Sequence, residues 1–288
     1  DTVIIDEASQ ILEPMLIGLL QKFKRFILIG DHKQLPAVVT QAKSDSIIKH
    51  TDLREIGITD MRMSLFERLY YQCKDNNWFH AFDIISFQGR MHTEIMNFVS
   101  NHFYENKLKS LEKVNRLHKH LNLIYKNDVQ KVLASKRMIF IDTKVDKSFN
   151  VKTNYHEAKA VNIIIQQLTE LYDINQKTFT EESVGVITPY RAQISLIKQD
   201  IHMDLKITVD TVERYQGGAR DIVILSLCTN RLSQMNTLVS ESNEGIDRKL
   251  NVALTRAKEQ IIIIGNRQIL DSNFTYKRLI ESCFSLSI

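Results

Sequence analysis

Five short apolar runs frame the chain, at residues 2–5, 26–29, 184–187, 222–225 and 261–264. They are mostly isoleucine and valine with no polar alternation, the pattern of strands buried on both faces beneath helices rather than strands with one wet face. Between them the spacing predicts helices. Over residues 155–172, Ala158, Val161, Ile165 and Leu168 recur at three- and four-residue steps, and residues 64–73 also look helical. Strand and helix alternate, so the expected class is α/β with parallel sheets. Three of the runs stop against polar residues: Asp6-Glu7, Gly30-Asp31 and Thr188-Pro189-Tyr190. Open α/β sheets bind ligands at the carboxyl ends of their strands, which makes these residues site candidates on topology alone; ordinary turn chemistry would also place polar groups there.

The 288 residues, 43% of them hydrophobic, can bury one large core or two medium ones. A formal charge of +4 and a pI of 8.8 permit contact with a polyanion without requiring it. Cys73, Cys228 and Cys283 are odd in number and far apart. They form neither a disulfide framework nor a metal pair, and a reducing, cytoplasmic (intracellular) setting is expected. No apolar run approaches the roughly 18 residues of a membrane span, so no membrane partner is expected. Residues 101–137 carry nine Lys or Arg against three Asp or Glu, either a basic face toward nucleic acid or a solvated helix surface. The chain opens at Asp1 without a methionine and runs straight into Val3-Ile4-Ile5, so we expect a fragment that starts mid-domain.

The chemistry begins at Asp6-Glu7. Phosphoryl transfer needs a hard cation to neutralise phosphate charge and an acceptor beside the nucleophile, and adjacent carboxylates at a strand end can divide those tasks. An acidic pair can equally cap a helix start. The segment Val3-Ile4-Ile5-Asp6-Glu7-Ala8-Ser9-Gln10 resembles the Walker B element of P-loop NTPases in its superfamily 1 helicase form. That resemblance implies that Asp6 holds Mg²⁺ and that Glu7 activates the water attacking ATP. Gly30-Asp31-His32-Lys33-Gln34-Leu35-Pro36 resembles motif III of the same family, which implies a nucleotide-binding Asp31 and a Gln34 that senses the γ-phosphate.

Four further segments follow in the family's order. Gln88-Gly89-Arg90-Met91-His92-Thr93 is similar to motif IV, with Gly89 and Thr93 where the family usually has tyrosine and proline. It implies that Arg90 reaches the γ-phosphate. Thr188-Pro189-Tyr190 resembles the segment that lies along the single strand's backbone. Residues 209–221 resemble motif V, implying Thr211 as a phosphate contact of the strand and Gln216 and Gly217 near the nucleotide; Ala219 replaces a glutamate that meets the ribose. Residues 249–258 resemble motif VI. On a helix, Leu250, Ala253, Leu254 and Ala257 share an apolar face while Arg256 points off it toward a cleft, and the resemblance makes Arg256 a second arginine finger.

These resemblances imply P-loop NTPase, RecA-like parallel sheets: a partial first unit at 1–83 and a nearly complete second at 84–288, with ATP and Mg²⁺ between them. The expected activity is ATP-dependent translocation on single-stranded nucleic acid, DNA or RNA. The Gly-x-x-x-x-Gly-Lys-Ser/Thr loop that wraps phosphates is absent from residues 1–288. Its expected source is an upstream part of the same polypeptide, and poor ATP hydrolysis is expected of these residues alone. Two other expectations are a degenerate helicase-like binding module without ATPase activity, and the motor part of a nuclease or defence system.

Overall fold

The computed structural model describes all residues except Ser148, Phe149, His202, Met203, Asp204 and Gln216. The chain divides into two units, Asp1–Ile85 and Ser86–Ile288.

In the first unit β1 (Thr2–Ile5) pairs in parallel with β2 (Arg25–Leu28), in the register Val3↔Phe26 and Ile5↔Leu28. Helix α1 (Glu13–Leu20) connects them, with Pro14 in its first turn, where a missing N–H breaks no helical bond. Helix α2 (Leu65–Asp75) starts at Ser64, whose hydroxyl accepts from the Glu67 N–H at 3.1 Å, an N-cap that satisfies one of the end donors. Arg68 of α2 donates to Glu13 of α1 at 2.7 Å and ties the helices together. The core is Ile5, Ala8, Leu16 and Leu65, with Val3 and Leu28 packed against it. Burial of both strands on both faces, expected from their apolar runs, is not found: Ile4, Phe26, Ile27 and Ile29 are exposed. The core cluster takes Val3, Ile5 and Leu28 from one side of the two-stranded sheet, and the paired Ile4 and Ile27 of the other side stay exposed.

The second unit contains a small parallel pair, β3 (Phe87–Gln88) and β4 (Lys109–Ser110), on either side of α3 (Thr93–Phe103). Its main sheet is built from β5 (Met138–Asp142), β6 (Val184–Ile187), β7 (Thr208–Asp210), β8 (Arg220–Ser226), β9 (Ala257–Gly265) and β10 (Phe284–Ser285). The order is β10-β5-β9-β8-β6-β7, every pairing parallel. Here the apolar runs are buried as their pattern implies; Val223, Ile224 and Ile261 through Ile264 have no exposure. Helix α4 (Tyr155–Ile174) presents Ala158, Val161, Ile165 and Leu168 to that core and is capped by Asn154, whose side chain accepts from the Glu157 N–H at 2.9 Å. A glycine is required at 185 in β6, because a Cβ there would come within 2.5 Å of the Tyr215 hydroxyl. The α/β class with parallel sheets is therefore the observed one. Among the described residues no helix is long and apolar enough to cross a membrane.

Candidate nucleotide and nucleic-acid site

In the first unit two loops leave the sheet side by side. The Ala8 N–H donates to the Ile29 carbonyl and the Ile29 N–H to the Ile5 carbonyl, both at 2.8 Å, which carries the ladder past the ends of β1 and β2. Asp6 and Glu7 emerge there, both exposed. Glu7 has φ 51°, in the left-handed region that costs a non-glycine residue about 1–2 kcal/mol. Its backbone N–H donates to Asp6 Oδ1 at 2.8 Å, and its Oε2 accepts from Gln10 Nε2 at 2.5 Å. The helix expected directly after Glu7 is only the 3-10 turn Ala8–Gln10; α1 begins at Glu13.

The motif III loop is fastened to this turn by Ser9, a buried residue whose hydroxyl accepts from the Asp31 N–H at 3.1 Å. Asp31 in turn organises its own loop. Its Oδ1 accepts from the Lys33 N–H at 2.9 Å and its Oδ2 from Gln34 Nε2 at 2.8 Å, so the carboxylate holds the Gln34 amide in place. The donor set suits magnesium: Mg²⁺ needs only one or two carboxylates, with water and phosphate supplying the rest, and Asp6 and Glu7 are hard oxygen donors in solvent. A cluster of three or more metal-binding side chains is not needed, and none occurs among the described residues.

In the second unit Arg90 lies on the exposed loop after β3, and its Nη1 donates to the Thr255 carbonyl at 3.4 Å. Arg256, the next residue in the chain, bonds the same threonine: its Nη2 donates to Thr255 Oγ1 at 3.2 Å and its Nη1 to the Gly218 carbonyl at 3.3 Å. The helix bearing motif VI, α5 (Arg248–Thr255), ends before Arg256, and Ala257 is the first residue of β9 rather than part of the helical apolar face expected for it. The cause is the sheet. The Arg220 N–H donates to the Arg256 carbonyl at 2.9 Å as β8 and β9 begin to pair, which takes that carbonyl away from the helix. Arg256 is consequently 3% exposed instead of pointing into an open cleft. Gly217 is exposed with φ 87°, a conformation that favours glycine, whereas Gln216 lies outside the described residues. Arg90 and Arg256 thus meet at Thr255, and Gly218 at Arg256, at the amino-terminal edge of β8 and β9.

The candidates for strand contact gather at the opposite edge. The Thr188 N–H donates to the Asp210 carbonyl at 3.1 Å, joining the ends of β6 and β7 and setting Thr188 beside Thr211. Pro189 and Tyr190 are half-buried. Thr188 is 1% exposed, and its buried hydroxyl has no hydrogen-bond partner among the described residues. A cavity of about 50 Å³ opens beside it, lined by Thr188, Pro189, Val212, Lys249 and Tyr276 among others.

Sequence reasoning missed three groups besides Ser9. Glu157 in α4 is fully buried and accepts four hydrogen bonds, from the Cys228 N–H (2.6 Å), the Thr229 N–H (2.7 Å), Thr229 Oγ1 and Ser226 Oγ (each 2.9 Å). Burial pushes its carboxyl above the usual range while these bonds pull it down. It fixes the segment after β8, where Cys228 has φ 53°. An acid inside the apolar stripe of a helix was the available signal. Arg116 and Arg137, counted in the basic stretch 101–137, both bind Glu259 at 2.7 Å, and Lys107 binds Glu105 at 2.6 Å. The two arginines are therefore spent on an internal ion pair, and the stretch is not one helical face, since it runs through β4, a 3-10 turn and the short helix Asp128–Leu133.

Family models described as AAA domain match the chain over residues 1–42 and 61–268. The chain belongs to this AAA domain family. DNA polymerase alpha-associated DNA helicase A of Saccharomyces cerevisiae is 31% identical over 94% of this chain and 39% of its own length. Helicase sen1 of Schizosaccharomyces pombe is 30% identical over 99% of this chain and 16% of its own, and the DNA replication ATP-dependent helicase/nuclease DNA2 of Gallus gallus is 30% identical over 92% and 23%. The chain thus spans at most 39% of the length of these three relatives. Among solved structures the PRRSV helicase superposes with a TM-score of 0.41 at 14% identity, over 93% of this chain and 35% of that one, a likeness too distant to bear on the site.

Proposed function

We propose that the full-length protein is an ATP-dependent helicase or translocase on single-stranded nucleic acid, and that this chain contributes residues for hydrolysis and for gripping the strand. The observation that carries the reading is that Arg90 bonds Thr255, the neighbour of Arg256, while Arg256 bonds Gly218, so that three segments distant in sequence bring two guanidinium groups and a glycine loop to one edge of the sheet.

In this reading Asp6 holds Mg²⁺, which when bound neutralises phosphate charge, and Glu7 takes the proton of the attacking water. Gln34, held by Asp31, senses the terminal phosphate. Arg90 and Arg256 stabilise charge on the transferring phosphoryl group; such arginines are worth on the order of 10³–10⁵ in rate. Arg256 is withdrawn from bulk water, where its charge acts on a phosphate more strongly than an exposed one would.

The strand is held by Thr188, Pro189, Tyr190 and Thr211. The Thr188 hydroxyl can bond a phosphate oxygen without reading bases, as a sequence-indifferent motor requires. The short helix Val212–Tyr215 follows Thr211 at this edge of the sheet, and the Gly218 carbonyl accepts from Arg256 at the other. A shift of Arg256 during hydrolysis is thereby passed to the residues that grip the strand.

A second reading, a strand-binding module without turnover, is favoured by the burial of Arg256 and by Ala219, whose methyl cannot bond a ribose. ATPase of the full-length protein with and without single-stranded DNA or RNA separates the two. Turnover stimulated by either strand supports the motor; strand binding with no turnover supports the module.

A further inference from the structure

Arg116 sits in the 3-10 turn Asn115–Leu117 with its side chain 40% exposed. Its Nη2 donates to the carbonyls of both Gly89 and Arg90, each at 3.0 Å, while Nη1 binds Glu259 Oε1 at 2.7 Å. Glu259 is itself anchored, because its other oxygen binds Arg137 Nη1 at 2.7 Å, and Arg137 is 3% exposed and also donates to the Lys119 carbonyl.

The two carbonyls held by Arg116 belong to the peptide planes on either side of the Arg90 Cα. The N–H groups of those same planes, from Arg90 and Met91, both donate to Gln88 Oε1, at 2.9 and 2.8 Å. Each plane is therefore gripped at its N–H and at its oxygen, which fixes both backbone angles of Arg90. The grip is referred to β9: Glu259 lies in that strand, which follows directly from Arg256, and the His92 N–H donates to the Lys258 carbonyl at 2.8 Å.

We propose that Arg116, anchored by Glu259 and Arg137, is a positioning residue that sets the direction in which the Arg90 side chain leaves its loop, so that Arg90 and Arg256 are both placed from the start of β9. The geometry needs arginine. A planar fork serves two carbonyls and a carboxylate at once, which the single ammonium of lysine cannot. A pair this exposed adds little to global stability, so its loss is felt in the loop. The functional half of the proposal rests on the assignment of Arg90 to the phosphate.

The test has two arms. In residues 1–288, amide hydrogen exchange is followed in Arg116→Ala and in Arg116→Lys, the latter keeping the charge and the ion pair. Exchange at Arg90 and Met91 is expected to quicken at least tenfold in both variants with β8 and β9 unchanged; wild-type protection at Arg90 and Met91 overturns the proposal. In the full-length protein, Arg116→Ala is expected to lower kcat on the order of 10- to 100-fold with little change in KM for ATP. It is expected to have no further effect in an Arg90→Ala background, since it acts through Arg90. Additive losses overturn the positioning role. A wild-type kcat in Arg90→Ala overturns the assignment of Arg90 and with it the functional half, while the exchange arm still decides the geometric half.

Discussion

Glu157→Gln changes one atom and tests how the carboxyl edge of the main sheet is held. The two oxygens of Glu157 accept from two backbone N–H groups, Cys228 at 2.6 Å and Thr229 at 2.7 Å, and from two hydroxyls. The hydroxyls can turn to accept from an amide, but the backbone groups cannot. Whichever way the glutamine is flipped, its NH₂ faces one of those N–H groups and leaves it without an acceptor. A buried donor left unmade costs about 1–3 kcal/mol. Relief of the desolvated charge offsets part of that, so we expect a net loss of about 2 kcal/mol. Urea unfolding is the assay: with a slope of about 1–3 kcal/mol per molar, the midpoint should fall by roughly 1 M. Amide exchange at Cys228 and Thr229 should quicken at the same time. An unchanged midpoint would refute the reasoning, because it would mean that neither the Cys228 nor the Thr229 N–H depends on a Glu157 oxygen as its acceptor.

Two further outcomes follow from packing and protonation. Gly185→Ala places a methyl 2.5 Å from the Tyr215 hydroxyl and 2.8 Å from Arg220 Cγ, and should cost about 1–3 kcal/mol as overpacking. A thermal midpoint equal to wild type would show that Tyr215 is not fixed by its bond to the Thr208 carbonyl. His92 caps α3 with Nδ1 accepting from the Glu94 N–H at 3.3 Å, and its pKa is lowered by burial first and by the charge of Arg137 second, against Glu94 and Glu259. A base with a depressed folded pKa contributes stability that is present above its ordinary value near 6.5 and is lost as the pH falls through the folded value. His92→Asn keeps a capping acceptor and should flatten the fall in stability that sets in as the pH drops below about 6.5, as unfolding midpoints measured downward from that pH will show; a slope equal to wild type would exclude His92 as its source.

Much of the frame was legible because the signal was continuous. Four of the five apolar runs coincide with or lie within β1, β6, β8 and β9, and residues 26–29 overlap β2 with a shift of one; the three- and four-residue steps over 155–172 found α4. Strands β7 and β10, with three residues and two, are too short for periodicity to separate them from turns. Exposure in the first unit was not legible, since an apolar run does not reveal how many neighbours its sheet will have. Nor was the burial of Arg256, because the helical pattern of motif VI extends through a residue that sheet pairing withdraws from the helix. Motif order identified Asp6, Glu7, Gln34, Arg90 and Arg256 as candidates without their supports. Those supports come from Arg116 and Glu259, which meet across 143 positions, and from Ser9, which holds a loop 22 positions away.

The account stands most directly on Glu7. In the full-length protein, single-strand-stimulated ATP turnover is to be measured for wild type and Glu7→Gln, with ATP and strand affinities measured in parallel. If Glu7 takes the proton of the attacking water, kcat falls by about 10²–10⁴-fold while both affinities persist. Turnover equal to wild type would contradict the assignment of ATP hydrolysis to this carboxylate.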